Sequence, residues 1–285
     1  MSSIADSNAI LDNERQLGQH QAVITLLQGI LADPGLANFY WLDLACGKGQ
    51  IINHLDLNLP AESRLKLSYF GYDLKSDYAK IAERRASSLG LKYFKFEIGD
   101  LLNFPKIFKS EIKFDLITIT NTVHEMDPNT LASVFFYSLQ RLKDKGELFI
   151  YDMNSLESPE LGAITWEESE MKEIFTHFLK LFDQKNSPPV CGTWRHSSCK
   201  GWNVRINRAF YKFNGNVLDD PKEAEKIIAN AGDKILEVIK RKLELVRAAL
   251  DSLTICGAES INERSEIQTK LFEFWSLSRS LEIKK

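Results

Sequence analysis

Apolar and polar positions along the chain keep two rhythms that take turns. Five short runs have strand length and character: Tyr40–Leu44, Leu67–Leu74, Lys92–Glu97, Phe114–Thr120 and Glu147–Met153. Between them the spacing shifts to the helical period. Ile51, Ile52 and Leu55 predict a helix after the first run, 75–89 is a helix ended by Gly90, and 131–142 carries Leu131, Phe135, Leu139 and Leu142 on one face. A helix also precedes the first strand, from about Asn8 to Leu31, through Ile10, Leu11, Leu17, Val23, Leu26, Leu27 and Ile30; Asp33-Pro34-Gly35 stops it. Strands that alternate with helices predict a doubly wound, parallel α/β sheet. Lys143-Asp144-Lys145-Gly146 is expected to be a tight turn before the fifth strand.

The rest of the chain is organised differently. An amphipathic helix is predicted over 167–182 and a loop at Asn186-Ser187-Pro188-Pro189. Gly201 to Tyr211 alternates as a strand, paired with Cys191–Lys200. Two long helices follow, 221–253 and 260–281, broken at Cys256-Gly257. The expected division is an N-terminal helical cap over 1–34, a sheet domain over 35–215 and a C-terminal helical hairpin over 216–285. The hairpin has three uses open to it: docking on the sheet, covering a pocket, or forming a homodimer.

Composition narrows the function without naming it. The 285 residues are 44% apolar and 26% charged, which fits a packed globular protein. A net charge of −3 supplies no global field for nucleic acid. No apolar run has the length of a membrane span. The first residues lack the basic flank and apolar core of a signal peptide, and the four cysteines lack paired spacing. Both features point to a reduced, cytoplasmic protein.

The candidate chemistry starts where the first strand ends, in Asp43-Leu44-Ala45-Cys46-Gly47-Lys48-Gly49. Two glycines let the backbone turn tightly and approach a ligand. A dinucleotide-binding loop places a third glycine three residues on; here that place is held by Ile52. The second strand ends at Asp73, at the spacing where an acidic side chain can accept both hydroxyls of a ribose. The third ends at Gly99-Asp100-Leu101, and the fourth at Asn121-Thr122-Val123-His124-Glu125. Taken singly, Asp73 also reads as a helix cap and Asp100 as a turn residue.

As an ordered set over Phe39 to Met153, these motifs resemble those of class I S-adenosylmethionine (SAM)-dependent methyltransferases. The resemblance implies a mostly parallel seven-stranded sheet, closed by the antiparallel pair 191–211, and a SAM cofactor that leaves as S-adenosylhomocysteine (SAH). It assigns cofactor contacts to Asp43, Ala45, Cys46, Gly47, Gly49, Asp73, Leu74, Asp100, Leu101 and Asn121. Asp100 would hold the adenine amine and the Leu101 amide would meet the ring. Helices before the first strand often form part of a lid in such enzymes. The chain lacks the Asn-Pro-Pro-Tyr or Asp-Pro-Pro-Tyr sequence of members that methylate exocyclic amines of bases. The expected acceptor is a small molecule ahead of RNA and protein. A scaffold of the same fold acting through its hairpin is the alternative.

His124 and Glu125 are the expected catalytic pair. His124 can take a proton from the nucleophile near neutral pH, or it can cap the next helix while Glu125 sits in a helix first turn. The alternative is a reaction that needs only in-line placement of the nucleophile. Between Cys191 and Arg208, three readings stand. Cys191, His196 and Cys199 offer zinc-type ligands but lack a fourth, so no metal site is expected. The aromatics and cations Trp194, Arg195, His196, Lys200, Trp202, Arg205 and Arg208 suit a nucleotide or phosphate, which leaves nucleic acid open as a partner through the Trp194–Arg208 region. A plain strand pair with a basic outer face is the third.

Overall fold

Both faces of a central sheet are apolar in this chain, and that decides the architecture. The computed structural model describes residues 18–108, 111–156, 160–196, 199–213, 217–256 and 261–282. Within them, β1 (Phe39–Leu44), β2 (Leu67–Asp73), β3 (Tyr93–Ile98), β4 (Phe114–Thr120), β5 (Leu142–Met153), β6 (Val190–His196) and β7 (Cys199–Asn207) form one sheet in the order β3-β2-β1-β4-β5-β7-β6. The first five strands are parallel; β7 runs antiparallel to β5 and to β6. The seven-stranded, doubly wound sheet expected from the sequence is therefore observed.

Alternate residues of the inner strands point to opposite layers. Leu42, Leu44, Phe70, Tyr72, Leu148 and Ile150 join one apolar cluster, and Trp41, Tyr69, Leu116, Phe149 and Tyr151 join the other. The second layer is α1 (Gly18–Leu31), the short helices α2 (Gln50–Asn53), α3 (Leu55–Asn58) and α4 (Ala61–Arg64), and α5 (Ser76–Ser88). Val23, Ile24, Leu27 and Leu31 of α1 are buried there. Ile10, Leu11 and Leu17 of the expected first helix lie outside the described residues.

The first layer holds α7 (Pro128–Arg141), α8 (Glu168–Phe182), α9 (Pro221–Cys256) and α10 (Ile261–Glu282); α6 (Phe104–Ile107) is a single turn before β4. The hairpin α9–α10 docks on the sheet domain. Ile227, Ile235, Ile239, Val246 and Leu277 are buried in the same cluster as β4 and α8. Lys242 pairs with Glu170 at 3.0 Å, and Arg241 with Glu173 at 2.6 Å, across the α8–α9 seam.

Two local expectations change. The helix after Gly49 breaks at His54, so Ile51 and Ile52 sit on one short turn and Leu55 starts another. The expected turn at Lys143–Gly146 lies inside β5: Phe114 pairs with Leu142 and Leu116 with Glu147, so those four residues bulge out opposite Asp115. Lys143 spans the bulge with a 2.6 Å bond to the Asp115 carboxylate, which also accepts the Tyr40 amide at 2.8 Å.

Candidate active site

Parallel pairing lines up the carboxyl ends of the strands, where ligands of open α/β sheets bind. Leu44 is level with Tyr72 and with Ile119, Asp73 with Ile98, and Thr120 with Tyr151. The residues just beyond form one row: Asp100, Asp73, the 45–49 loop, Asn121 and Asp152. From β3 to β4 the row spans three strand spacings, about 14 Å.

The loop is shaped by its backbone. Ala45, Gly47 and Gly49 have φ of 56°, 55° and 71°. Among the described residues, the only non-glycine residues with positive φ are Ala45 and Asn121 (φ 52°), at the tips of adjacent strands. Left-handed backbone at a residue with a Cβ is unfavourable, and it concentrates at binding sites. The Cys46 amide donates to the Tyr72 carbonyl at 3.1 Å and the Gly49 amide to the Cys46 carbonyl at 3.0 Å.

Each expected cofactor residue has a defined place. Asp73 is nearly buried; its Oδ2 accepts the Gly47 amide at 2.8 Å and its Oδ1 the Lys75 amide at 2.9 Å. Asp100 is exposed and its Oδ1 accepts the Leu102 amide at 2.9 Å, while its backbone carbonyl accepts the Tyr72 hydroxyl at 2.7 Å. Leu74 is exposed and Leu101 half-buried; with the exposed side chains of Ile98 and Leu102, they give this end an apolar surface beside two carboxylates. Asn121 donates its amide to the Tyr151 carbonyl at 2.9 Å, and its side-chain Oδ1 is buried without a hydrogen-bond partner.

Asp43 and Cys46 lie lower, inside the fold. Asp43 is 1% exposed, and accepts Thr118 Oγ1–H at 2.6 Å and Tyr69 O–H at 2.8 Å. Thr118 Oγ1 in turn accepts the Trp41 indole N–H at 2.8 Å. Burial raises the Asp43 carboxyl to about 6, against the two hydroxyl bonds that favour its charged form. Burial likewise pushes the Cys46 thiol well up. Asp43 thus ties β1 to β2 and β4 just below the loop.

His124 is buried at the β4 tip, and Glu125 beside it is exposed. Asp152, at the end of β5, accepts the His124 backbone amide at 2.9 Å and sits 2.8 Å from Nδ1. On the other side of the ring, Nε2 lies 3.9 Å from Glu125 Oε1 and 3.7 Å from Glu160 Oε2. Burial lowers the imidazole's proton affinity, but the Asp152 charge and the bonds to Asp152 and Glu160 outweigh it and raise the group to about 10. At neutral pH the ring keeps its proton. The segment after Glu160 folds back over this tip: the Ile164 amide donates to the His124 carbonyl at 2.7 Å, and Ile164 and Trp166 are buried. Sequence reasoning missed Asp152 and Glu160. The one available signal was a carboxylate, Asp152, closing the apolar run Leu148–Tyr151.

The basic, aromatic stretch before Arg208 is a structural strand pair. Trp202 is buried, and Trp194 stacks on Tyr151 at 4.5 Å. Arg205 makes a two-pronged bond to Glu147, at 2.7 and 3.1 Å. Arg208 donates to the Leu142 carbonyl at 2.5 Å. Arg195 and Lys200 remain exposed. Cys191 lies five positions from His196 on one strand, a rise of about 16 Å along the backbone, while His196 and Cys199 are register partners across the hairpin. Among the described residues, the only His/Cys/Asp/Glu group with metal-ligand spacing is His124, Glu125 and Glu160. No helix among them is long and apolar enough to cross a membrane.

Two surface clefts lie to the sides, one lined by Ser169, Lys172, Glu173 and His177, the other by Leu102, Lys106, Lys113 and Arg141. Of the strand-tip residues only Leu102 lines either, so register rather than concavity marks the candidate site.

Comparison with known proteins agrees with this geometry. The family model described as "Methyltransferase domain" matches residues 37–232. A search of curated proteins by sequence returned no match. Among solved structures, magnesium protoporphyrin IX methyltransferase from Synechocystis PCC 6803 with bound SAH aligns at a TM-score of 0.52 and 14% identity, covering 73% of this chain and 95% of that one. The same enzyme with bound SAM aligns at 0.51 and 14% identity, covering 73% and 92%. At this identity the likeness is one of fold.

Proposed function

We propose, from the premise that this chain belongs to the methyltransferase-domain family and is a SAM-dependent methyltransferase, that the row from Asp100 to Asn121 holds the cofactor and that a small-molecule acceptor meets it at the β4 tip. When bound, SAM supplies an electrophilic methyl group on a sulfonium. The remaining work falls to the chain's own residues. Asp73 and Asp100 are acceptors suited to ribose hydroxyls and an adenine amine, and Leu74, Leu101 and Leu102 offer apolar faces to the base. The 45–49 loop brings backbone close, and Asp43 fixes the strand ends beneath it through Tyr69 and Thr118.

The observation that carries this reading is Asn121 Oδ1: a buried acceptor with no partner, on a residue held at positive φ, one strand from the glycine loop. Such an atom costs about 1–3 kcal/mol unless a ligand donates to it, and the ammonium of the cofactor's methionine part would do so. Calorimetry with SAM and SAH tests the reading. Binding of both at one site per chain, weakened by Asn121→Ala, is the expected result; no heat and no thermal shift with either would refute it.

His124 enters this reading as a positioning residue. Its imidazole and its backbone amide both bond Asp152 and so tie the β4 tip to β5, and a ring that keeps its proton does not serve as a general base in the geometry observed. His124→Asn should reduce turnover while sparing SAM affinity.

The acceptor stays a small molecule in this proposal because two of the four cations that would meet a polynucleotide are engaged within the fold, Arg205 with Glu147 and Arg208 with backbone carbonyls, which leaves Arg195 and Lys200 as the exposed remainder. Steep salt dependence of binding to RNA would reverse that choice.

A further inference from the structure

Glu160 approaches His124 from a different part of the chain, and its arrival completes a pattern the methyltransferase reading does not use. The imidazole is fixed on its Nδ1 side. Asp152 Oδ1 sits 2.8 Å from Nδ1 and also accepts the Met153 amide at 2.7 Å; its Oδ2 accepts the His124 amide at 2.9 Å. The ring therefore has one orientation, and Nε2 is the atom left to face outward. Two carboxylates flank it at 3.7 and 3.9 Å, and the ligand atoms of His124, Glu125 and Glu160 all lie within 4.8 Å of one another.

We propose that His124 Nε2, Glu125 and Glu160 form a binding site for a divalent first-row transition ion at the methyl-transfer end of the sheet, the ion displacing the ring's Nε2 proton to solvent as it binds. A histidine that ligates a metal commonly gives its other ring N–H to a carboxylate, which sets its tautomer and aim; Asp152 stands in that place. Ligand atoms sharing one ion with bonds of about 2.0–2.2 Å lie about 3.0–3.5 Å apart, so each carboxylate must close on Nε2 by under about 1 Å, and the two carboxylates on each other by up to about 1–2 Å, within reach of a side-chain rotation. One imidazole and two carboxylates suit manganese, iron(II), cobalt or zinc better than magnesium or calcium, which prefer all-oxygen shells. Three protein ligands leave positions open, as catalytic metal sites do.

This inference rests on the methyltransferase reading for its consequence. Asn121 is three residues before His124 on the same tip, so an ion here adjoins the cofactor row. The open positions would take oxygen atoms of the acceptor, which selects an acceptor with a hydroxyl beside a second oxygen donor over an amine or a carbon nucleophile.

The test uses the full chain stripped of metal with a chelator. Manganese(II) is titrated in and followed by electron paramagnetic resonance, and zinc(II) by calorimetry, with SAM affinity measured in parallel. One ion per chain, weakened at least about tenfold by Glu160→Gln and further by Glu125→Gln with Glu160→Gln, is the expected result. Absence of binding to either ion at millimolar concentration overturns the site, as does binding unchanged in the double variant. SAM binding that persists in a chain without ion binding removes the metal site and leaves the methyltransferase reading standing. Failure of SAM binding with ion binding intact does the reverse. Both glutamates are surface-accessible enough that their glutamine variants should fold, which circular dichroism verifies.

Discussion

The carboxylate of Asp73 accepts the backbone amide of Gly47 at 2.8 Å, so the end of β2 holds the turn that follows β1. One side chain thus serves both the loop's shape and, in the proposed site, the ribose. Asp73→Ala removes both and should weaken SAM at least about tenfold by calorimetry. Asp73→Asn keeps one acceptor oxygen and should fall between.

Gly49 should tolerate no side chain. Its φ is 71°, and a Cβ there would lie 2.7 Å from Ile52 Cδ1 and 3.0 Å from Ala82 Cβ. Left-handed backbone alone costs about 1–2 kcal/mol, and contact within a packed core adds to it. Gly49→Ala is expected to lower stability by about 2 kcal/mol or more in urea unfolding and to weaken SAM binding together with it.

Thr118 is the hinge of a buried polar chain from Trp41 through Thr118 to Asp43. Thr118→Val keeps the shape but orphans the indole N–H and one carboxylate oxygen. With both groups buried, the loss should be about 2–5 kcal/mol in chemical denaturation. Thr118→Ser preserves both bonds and should recover most of it.

His20 gives a pH signature. Burial first, and the facing His54 ring second, lower its imidazole from 6.5 to about 3. A folded pKa below the unfolded one means the unfolded chain takes up the proton first. The stability this group contributes is complete above about 6.5 and falls as pH drops toward 3, by about 1.4 kcal/mol per pH unit. Asp43, raised from 3.8 to about 6, acts oppositely: its contribution is complete below 3.8 and is lost as pH rises through 6. The two offset each other in the native chain. The difference between wild type and His20→Leu cancels Asp43 and should move in favour of the variant as pH falls from 7 to 5.

Much of the fold could be read from the chain because burial on both faces writes itself into composition. Residues 114–120 were expected as a strand and form one with the same limits, since β-branched side chains fill four of the seven positions, Ile117 to Thr120. Local geometry was harder. Nothing in the spacing of Ile51, Ile52 and Leu55 announces the break at His54, which follows from packing against α1 and α5. Lys143–Gly146 has turn composition and does leave the ladder, yet strand pairing resumes on the same line because Asp115 anchors the bulge. At the site, strand-end residues such as Asp73 were legible from register alone. Glu160 was not: it reaches His124 across 36 positions from a segment with no periodicity. The depth of Asp43 was hidden too, because its partners Tyr69 and Thr118 look like ordinary strand residues.

The position of β7 between β5 and β6 has a consequence for how the molecule is made. As the chain emerges during synthesis, β5 appears with one side already taken by β4 and the other bare. Its true neighbour begins only at Cys199, after β6 has been made and left waiting one place too far out. Until then an apolar edge with unpaired amides is open to strands from other chains. The last ladder to zip is also what seals the sheet against aggregation, and a ribosome stalled between Met153 and Cys199 would release the most adhesive form of this protein.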